Sequence, residues 1–249
     1  MPDNPQVLYL LINIQECTDR LEQAASFLNK ENLSWERLDA ITPSHSEFVR
    51  PQPKNTWYRK LTDSEIACYL SHRKAWQYAL DLGAQYLVIL EDDMILDYPL
   101  APVVQGAIQS NISWDVIKLF KTRKRRRIIT RLVNGKTPIH LVDTPSLPIA
   151  TTGLLLDCKI LPHLLDVTEH FSRPIDVDLK HYWNFELKAY STHPPPVSVT
   201  EDNESIIGPR QRKLGLRGRI AKIIGNMSCS FSSKSRYFLR SLRAKTIKR

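Results

Sequence analysis

The stretch that constrains this chain most runs from Tyr86 to Asp97, Tyr-Leu-Val-Ile-Leu-Glu-Asp-Asp-Met-Ile-Leu-Asp. Five mostly apolar, β-favouring residues, Tyr86 to Leu90, lead straight into three carboxylates, Glu91, Asp92 and Asp93. An unbroken apolar run of that length predicts a strand buried on both faces, as in parallel sheets. In open α/β sheets the ligand sits beyond the carboxyl ends of the strands, so the acids fall where a ligand would. Adjacent carboxylates repel, and gathering them is costly unless a cation or several donors offset the charge. Mg2+ or Mn2+ prefers such hard oxygens, usually one or two carboxylates together with substrate phosphates. Taken alone, the triplet reads equally well as a solvated turn after a strand.

The chain before it sets the context. Val7 to Ile12 is a second apolar run and predicts a buried first strand ending at Asn13. Thr18 is placed to cap a helix running to about Lys30. Trp35–Asp39 predicts a second strand, and the proline-broken segment from Thr42 to Trp57 a loop. Thr62 followed three residues on by Glu65 makes a capping box. The helix it opens carries Ile66, Tyr69, Leu70, Trp76 and Leu80 at helical spacing, includes His72, and closes at Gly83. Strand–helix pairs feeding a buried strand are the βαβ rhythm of a parallel sheet.

Downstream, a helix is expected over Val103–Ser110 and a strand over Trp114–Phe120. That strand delivers a basic run, Lys121 to Arg131, which suits a solvated face or a substrate-facing loop. Leu147–Leu156 reads as a strand, Lys159–Asp166 as a helix with Pro162 near its start, and Leu187–Tyr190 as a short strand. In Pro174-Ile-Asp-Val-Asp178, two acids sit at a helix N-terminus, where the helix dipole tolerates negative charge. Asp176 is there either a cap or a functional acid.

Charge divides the chain in two. Residues 209–249 hold 13 Lys or Arg and no acid, which leaves 22 basic residues against 26 acids in residues 1–208. A mildly acidic body, expected as one domain over 1–208, therefore carries a basic tail. Leu216, Ile220, Ile223, Ile224 and Met227 fall on one helical stripe of that tail. A basic amphipathic segment without acids points to an anionic membrane surface, and no finger or RNP-like motif points to nucleic acid. No apolar run approaches the roughly 20 residues that span a bilayer. The N-terminus lacks a signal-peptide pattern, and Cys17, Cys68, Cys158 and Cys229 form no C-x-x-C pair, so reduced thiols in a cytoplasm are expected.

Four segments in order, Leu11-Ile-Asn-Ile-Gln-Glu-Cys-Thr-Asp-Arg20, Leu61-Thr-Asp-Ser-Glu-Ile-Ala-Cys-Tyr-Leu-Ser-His72, Val88-Ile-Leu-Glu-Asp-Asp93 and Pro174-Ile-Asp176, give the chain a family resemblance. Over about residues 7–207 it resembles glycosyltransferase family 25, bacterial lipooligosaccharide and lipopolysaccharide galactosyltransferases related to collagen galactosyltransferases. The resemblance implies a GT-A-like fold, a Rossmann-type, mostly parallel sheet flanked by helices, that binds a nucleotide sugar through Mn2+ or Mg2+. It makes Asp93 the metal ligand, with Glu91 near the ribose or metal waters and Asp92 in support. Asn13 and Arg20 would line the nucleotide end, and His72 would contact the diphosphate or stay a satisfied helix residue. The family's inverting transfer needs a base opposite the leaving UDP, for which Asp176 is first choice and Asp178 the reserve.

The expected activity is transfer of galactose from UDP-galactose to a growing lipooligosaccharide, with residues 209–249 holding the enzyme on the anionic inner leaflet. Rival expectations are UDP-glucose or a UDP-N-acetylhexosamine as donor, or a non-catalytic membrane or nucleic-acid adaptor acting through the tail.

Overall fold

The computed structural model describes residues 6–53, 57–199 and 232–239. The first half alternates strand and helix: β1 Val7–Asn13, α1 Thr18–Lys30, β2 Trp35–Asp39, α2 Asp63–Asp81 and β3 Tyr86–Glu91. The second half is more varied: β4 Met94–Leu96, α3 Leu100–Gln109, β5 Val116–Lys118, β6 Arg127–Val133, β7 Ile139–Asp143 and β8 Leu154–Asp157 come first. A 3₁₀ turn then leads into α4 Leu161–Val167, followed by α5 Ile175–Lys180, β9 Ala189–His193 and β10 Val197–Val199. Residues 232–239 form a further helical segment.

Eight strands make one sheet in the order β2-β1-β3-β8-β5-β9-β7-β6, and β4 pairs with β10 beside it. The strands β2, β1 and β3 are mutually parallel, as are β5 and β9. Strand β8 inserts antiparallel between β3 and β5, and β7 and β6 add an antiparallel edge. The apolar runs are unbroken because each alternate side chain meets a different core. Leu10, Ile12, Leu87 and Ile89 pack under α2 with Tyr69 and Trp76. Tyr9, Leu11, Val88 and Leu90 pack on the other face against Leu28 of α1 and Val103 and Val104 of α3. Each of these fully buried aliphatic side chains stabilises the fold by about 1.5–3 kcal/mol.

Several local expectations are met and others shift for physical reasons. The Thr62–Glu65 capping box forms in both directions at the head of α2. Thr18, by contrast, is the first residue of α1, and Cys17 stands at its cap without a side-chain bond. Helix α3 starts at Leu100 rather than Val103, because the Glu31 carboxylate accepts from the backbone N–H of Leu100 at 2.8 Å and also reaches that of Ala101. Pro162 falls in the first turn of α4, where its missing N–H leaves no helical bond unmade. The strand expected over Leu147–Leu156 is confined to its end, since Ala150 (φ 114°) and Gly153 (φ 67°) turn the chain out of the extended region. The basic run is not one loop: from Arg127 onward it is the edge strand β6.

Because β8 is antiparallel to both β3 and β5, the strands β1, β2, β3, β5 and β9 all point the same way. Their carboxyl ends bring Asn13, Asp39, Glu91, Lys118 and His193 to one edge of the sheet, together with the loop that enters β8.

Candidate active site

The acids after β3 lie at that carboxyl edge in three different surroundings. Glu91 ends the strand, and its carboxylate Oε1 lies 3.2 Å from His72 Nε2. The backbone N–H of Glu91 donates to the Thr152 hydroxyl at 3.1 Å. Burial pushes the Glu91 carboxyl up, but His72, Thr151 and Lys118 outweigh it and hold the group below its usual range. Asp92 turns toward β1, where Asn13 Nδ2 donates to it at 2.8 Å and Arg20 Nη1 stands 3.7 Å away. Burial raises its carboxyl even so.

Asp93 is the acid left with unmet charge. Its Oδ1 is buried and accepts no hydrogen bond among the described residues. Burial, then the charges of Glu91 and Asp92, push its carboxyl up to about 6. A buried carboxylate oxygen without a donor, beside two more carboxylates, fits a hard divalent cation. Asp93 and Glu91 are the residues that would hold one.

Lys118 faces these acids from β5, and sequence reasoning missed it. Only 1% exposed, its ammonium donates to the carbonyls of Ala150 at 2.7 Å and Thr152 at 2.6 Å. Burial drives its pKa down to about 7, against the opposing pull of Glu91, Asp176 and Asp93. Those three carboxylates therefore act on one buried amine at a distance, while its direct partners are the two carbonyls. The loop that Lys118 grips is tight, since a Cβ at Gly153 would meet Phe120 and Val197 at 3.3 Å. A signal was present: Val116-Ile-Lys-Leu-Phe places a charge inside an apolar run, and a buried charge must be paired.

The two acids of α5 part company. Pro174 is the helix cap, so Asp176 does not cap it. Asp176 is half-buried and belongs to the group around Lys118. Asp178 points into the core, 4% exposed, where Arg173 Nε lies 2.6 Å from Oδ1 and the Tyr69 hydroxyl donates to Oδ2 at 3.0 Å. Asn13 and His72 are both inside, at 1% exposure each. Asn13 links Asp92 to Arg37, whose Nε donates to its Oδ1 at 3.0 Å. His72 is engaged with Glu91, and Arg20 with Asp92, so both set the acids' positions from behind. Asp39, half-exposed at the end of β2 and paired with Arg37 at 2.9 Å, is another edge acid the sequence did not mark.

A mixed α/β sheet with helices on both faces and an acid cluster at its carboxyl edge defines a GT-A-like protein. The model of glycosyltransferase family 25 (LPS biosynthesis protein) matches residues 7–177, well over half of the chain. The chain belongs to glycosyltransferase family 25. Among its relatives, the lipooligosaccharide biosynthesis protein lic2B of Haemophilus influenzae is 30% identical over 88 residues, covering 34% of this chain and 33% of its own length. Procollagen galactosyltransferase 1 of Danio rerio is 25% identical over 212 residues, 74% of this chain and 35% of its own length. A rat relative, described as a probable inactive glycosyltransferase 25 family member 3, is 27% identical over 165 residues, 57% of this chain and 27% of its own length. The chain thus spans about a third of the length of the curated relatives it matches.

Proposed function

We propose that this protein is an inverting, metal-dependent glycosyltransferase that moves galactose from UDP-galactose to a hydroxyl of a growing lipooligosaccharide or lipopolysaccharide. One observation carries the reading: Asp93 Oδ1 is a buried carboxylate oxygen without a hydrogen-bond partner among the described residues, and Asp93 and Asp176 both act electrostatically on the buried ammonium of Lys118. Galactose is favoured by the procollagen galactosyltransferase relative, and the lipooligosaccharide acceptor by lic2B.

Asp93 and Glu91 would hold Mn2+ or Mg2+, which offsets the charge of the diphosphate as the glycosidic bond breaks. His72 fixes the Glu91 carboxylate, while Asn13 and Arg20 fix that of Asp92. The acceptor oxygen attacks the anomeric carbon and its proton passes to the Asp176 carboxylate. Asp178 is committed to Arg173 and Tyr69, which leaves Asp176 as the base of the pair.

No helix among the described residues is long and apolar enough to cross a membrane. Peripheral attachment at the inner face of the bacterial inner membrane is part of the proposal, and it rests on the basic composition of residues 209–249. The stripe from Leu216 to Met227 lies outside the described residues. The helical segment 232–239 exposes Phe238 and Leu239, 55% and 57%, beside the cations Lys234 and Arg236. That mixture suits an anionic lipid surface.

The test is UDP release from UDP-galactose, UDP-glucose and UDP-N-acetylglucosamine, each with Mn2+ and with chelator. The expected outcome is release from UDP-galactose alone, metal-dependent and slow without acceptor, and abolished in a folded Asp93→Ala variant. Release that ignores chelator, or none from any donor, overturns the proposal. A non-catalytic role would instead leave binding intact when the acids are removed.

A further inference from the structure

Behind the acidic edge lies a second cluster of a different chemical kind. Cys68 and His72 are four residues apart on α2, so both side chains project from one face of the helix. The face is turned toward the end of β3, where Glu91 completes a trio whose ligand atoms all lie within 4.8 Å of one another. Glu91 Oε1 and His72 Nε2 are already 3.2 Å apart. Two such atoms at zinc-ligand distances of about 2.0–2.1 Å stand roughly 3.3 Å apart in a tetrahedral site. A sulfur at about 2.3 Å and a nitrogen stand roughly 3.6 Å apart, so a shift of about 1 Å in the Cys68 side chain closes the set. Thr151 Oγ1, 4.0 Å from Cys68 Sγ, borders the remaining position. His72 is 1% exposed, and its Nδ1 has no hydrogen-bond partner among the described residues.

We propose that Cys68, His72 and Glu91 form a site for a soft divalent cation, Zn2+, separate from the hard oxygen site at Asp93. Softness divides the two: a thiolate with an imidazole selects Zn2+, whereas carboxylates with phosphates select Mg2+ or Mn2+. On binding, the Cys68 thiol gives its proton to solvent, the His72 ring proton leaves Nε2 for Nδ1, the sulfur, Nε2 and the Glu91 carboxylate bond to the metal, and water molecules leave the metal. Glu91 is the shared residue. Zinc draws its carboxylate inward along the His72 direction and away from the donor side, so zinc opposes manganese-dependent turnover. The inhibitory effect rests on the function proposed above; the binding does not.

The experiment uses the full chain, stripped of metal and titrated with Co2+ as a spectroscopic stand-in for Zn2+, with no donor present. The expected result is one equivalent bound with a thiolate-to-cobalt charge-transfer band. Zn2+ reverses the band and Mn2+ does not. Cys68→Ser loses it, while Cys17→Ser and Cys229→Ser keep it. Glu91→Gln, close to isosteric, keeps the sulfur contact but weakens Zn2+ by at least about tenfold, which also serves if Cys68→Ser fails to fold. No band in the wild type, a band that survives in Cys68→Ser, or Zn2+ affinity unchanged in Glu91→Gln overturns the site. In turnover assays, Cys68→Ser stays active with Mn2+ and becomes resistant to micromolar Zn2+; equal sensitivity of both proteins overturns the inhibitory role. A protein with no transferase activity but a normal band refutes the functional reading alone. Normal turnover without a band refutes the zinc site alone.

Discussion

The two halves of the sheet solve opposite problems. In β2, β1 and β3 every strand is parallel, the side chains of β1 and β3 are mostly spent on burial, and the carboxyl ends carry Asp39, Asn13 and Glu91. In the half built from β8, β5, β9, β7 and β6, parallel and antiparallel pairings mix and an ionisable side chain, Lys118, is taken into the core. The first half brings carboxylates to its carboxyl ends, and the second supplies Lys118, on which Glu91, Asp93 and Asp176 of α5 act electrostatically. The acids can gather because the halves differ, with one supplying the carboxylates and the other the offsetting charge.

The largest test asks whether the chemistry is divided in the same way. Asp176→Asn is expected to lower kcat by about 10²–10⁴-fold, the usual worth of a positioned general base, with UDP affinity and unfolding midpoint unchanged. Asp178→Asn is expected to do the reverse. It strips Arg173 of its partner and costs about 2–3 kcal/mol of stability, while the folded fraction keeps its kcat. Steady-state kinetics and thermal unfolding of the two variants decide it, and an exchange of these two phenotypes would place the base in the core.

Lys118→Met breaks the link between the halves. The substitution leaves the carbonyls of Ala150 and Thr152 without their donor, and Glu91, Asp93 and Asp176 without their shared cation. Removing one partner of a buried charge group costs about 3 kcal/mol, a fall of about 6–12 °C in the unfolding midpoint for a chain of this size. Added Mn2+ should restore part of that loss, because a bound cation offsets the same acids. If calorimetry finds an unchanged midpoint, Lys118 is not the offsetting charge.

The same contrast explains what could be read from the sequence. The first half was legible because burial writes itself as apolar runs: Val7–Ile12, Trp35–Asp39 and Tyr86–Leu90 are strands at nearly those bounds, and the Thr62–Glu65 box opens α2. In the second half the hairpin β6–β7 was missed although Asn134-Gly135 lies in its turn, because the Arg-rich lead-in masked the alternation. The strand expected at Leu187–Tyr190 sits at Ala189–His193, after Glu186 turns the chain with φ 57°. Among site residues, the acids stood out by their clustering. Lys118 showed only as a charge inside an apolar run, and its partners are two backbone carbonyls that no sequence pattern displays. Nor was the order of β8 between β3 and β5 visible, because pairing direction depends on contacts between strands distant in the chain.

A smaller effect follows from the rim itself. With its carboxyl pushed up to about 6, Asp93 is largely ionised at pH 7.5 and largely protonated at pH 5. A divalent cation needs the ionised form, so metal affinity should fall toward about tenfold per pH unit below 6 and level off above it. The stability sign is opposite. Asp93's carboxyl is raised in the fold above its unfolded value, so the metal-free protein binds more protons when folded and gains stability as pH falls from above 6 toward 4. Asp93→Asn should flatten both dependences, and calorimetric Mn2+ titrations at pH 5, 6 and 7.5 measure the first.

The smallest prediction concerns the first half alone and bounds how far a change there can reach the site. Thr62 accepts from the Glu65 backbone N–H at 3.2 Å, and the Glu65 carboxylate accepts from the Thr62 N–H at 2.9 Å while also pairing with Arg59. Thr62→Ala removes one of these two bonds, at a cost of about 1 kcal/mol, or about 2–4 °C in the unfolding midpoint. The cap lies three turns of α2 from His72, and the helix between them is clamped to the sheet by Ile66 and Tyr69. Fraying at the first turn should therefore stop short of the His72–Glu91 contact, and kcat should hold within about twofold. A larger loss of kcat at an unchanged midpoint would mean that α2 moves as a rigid lever, carrying its N-terminus and the Glu91 contact together.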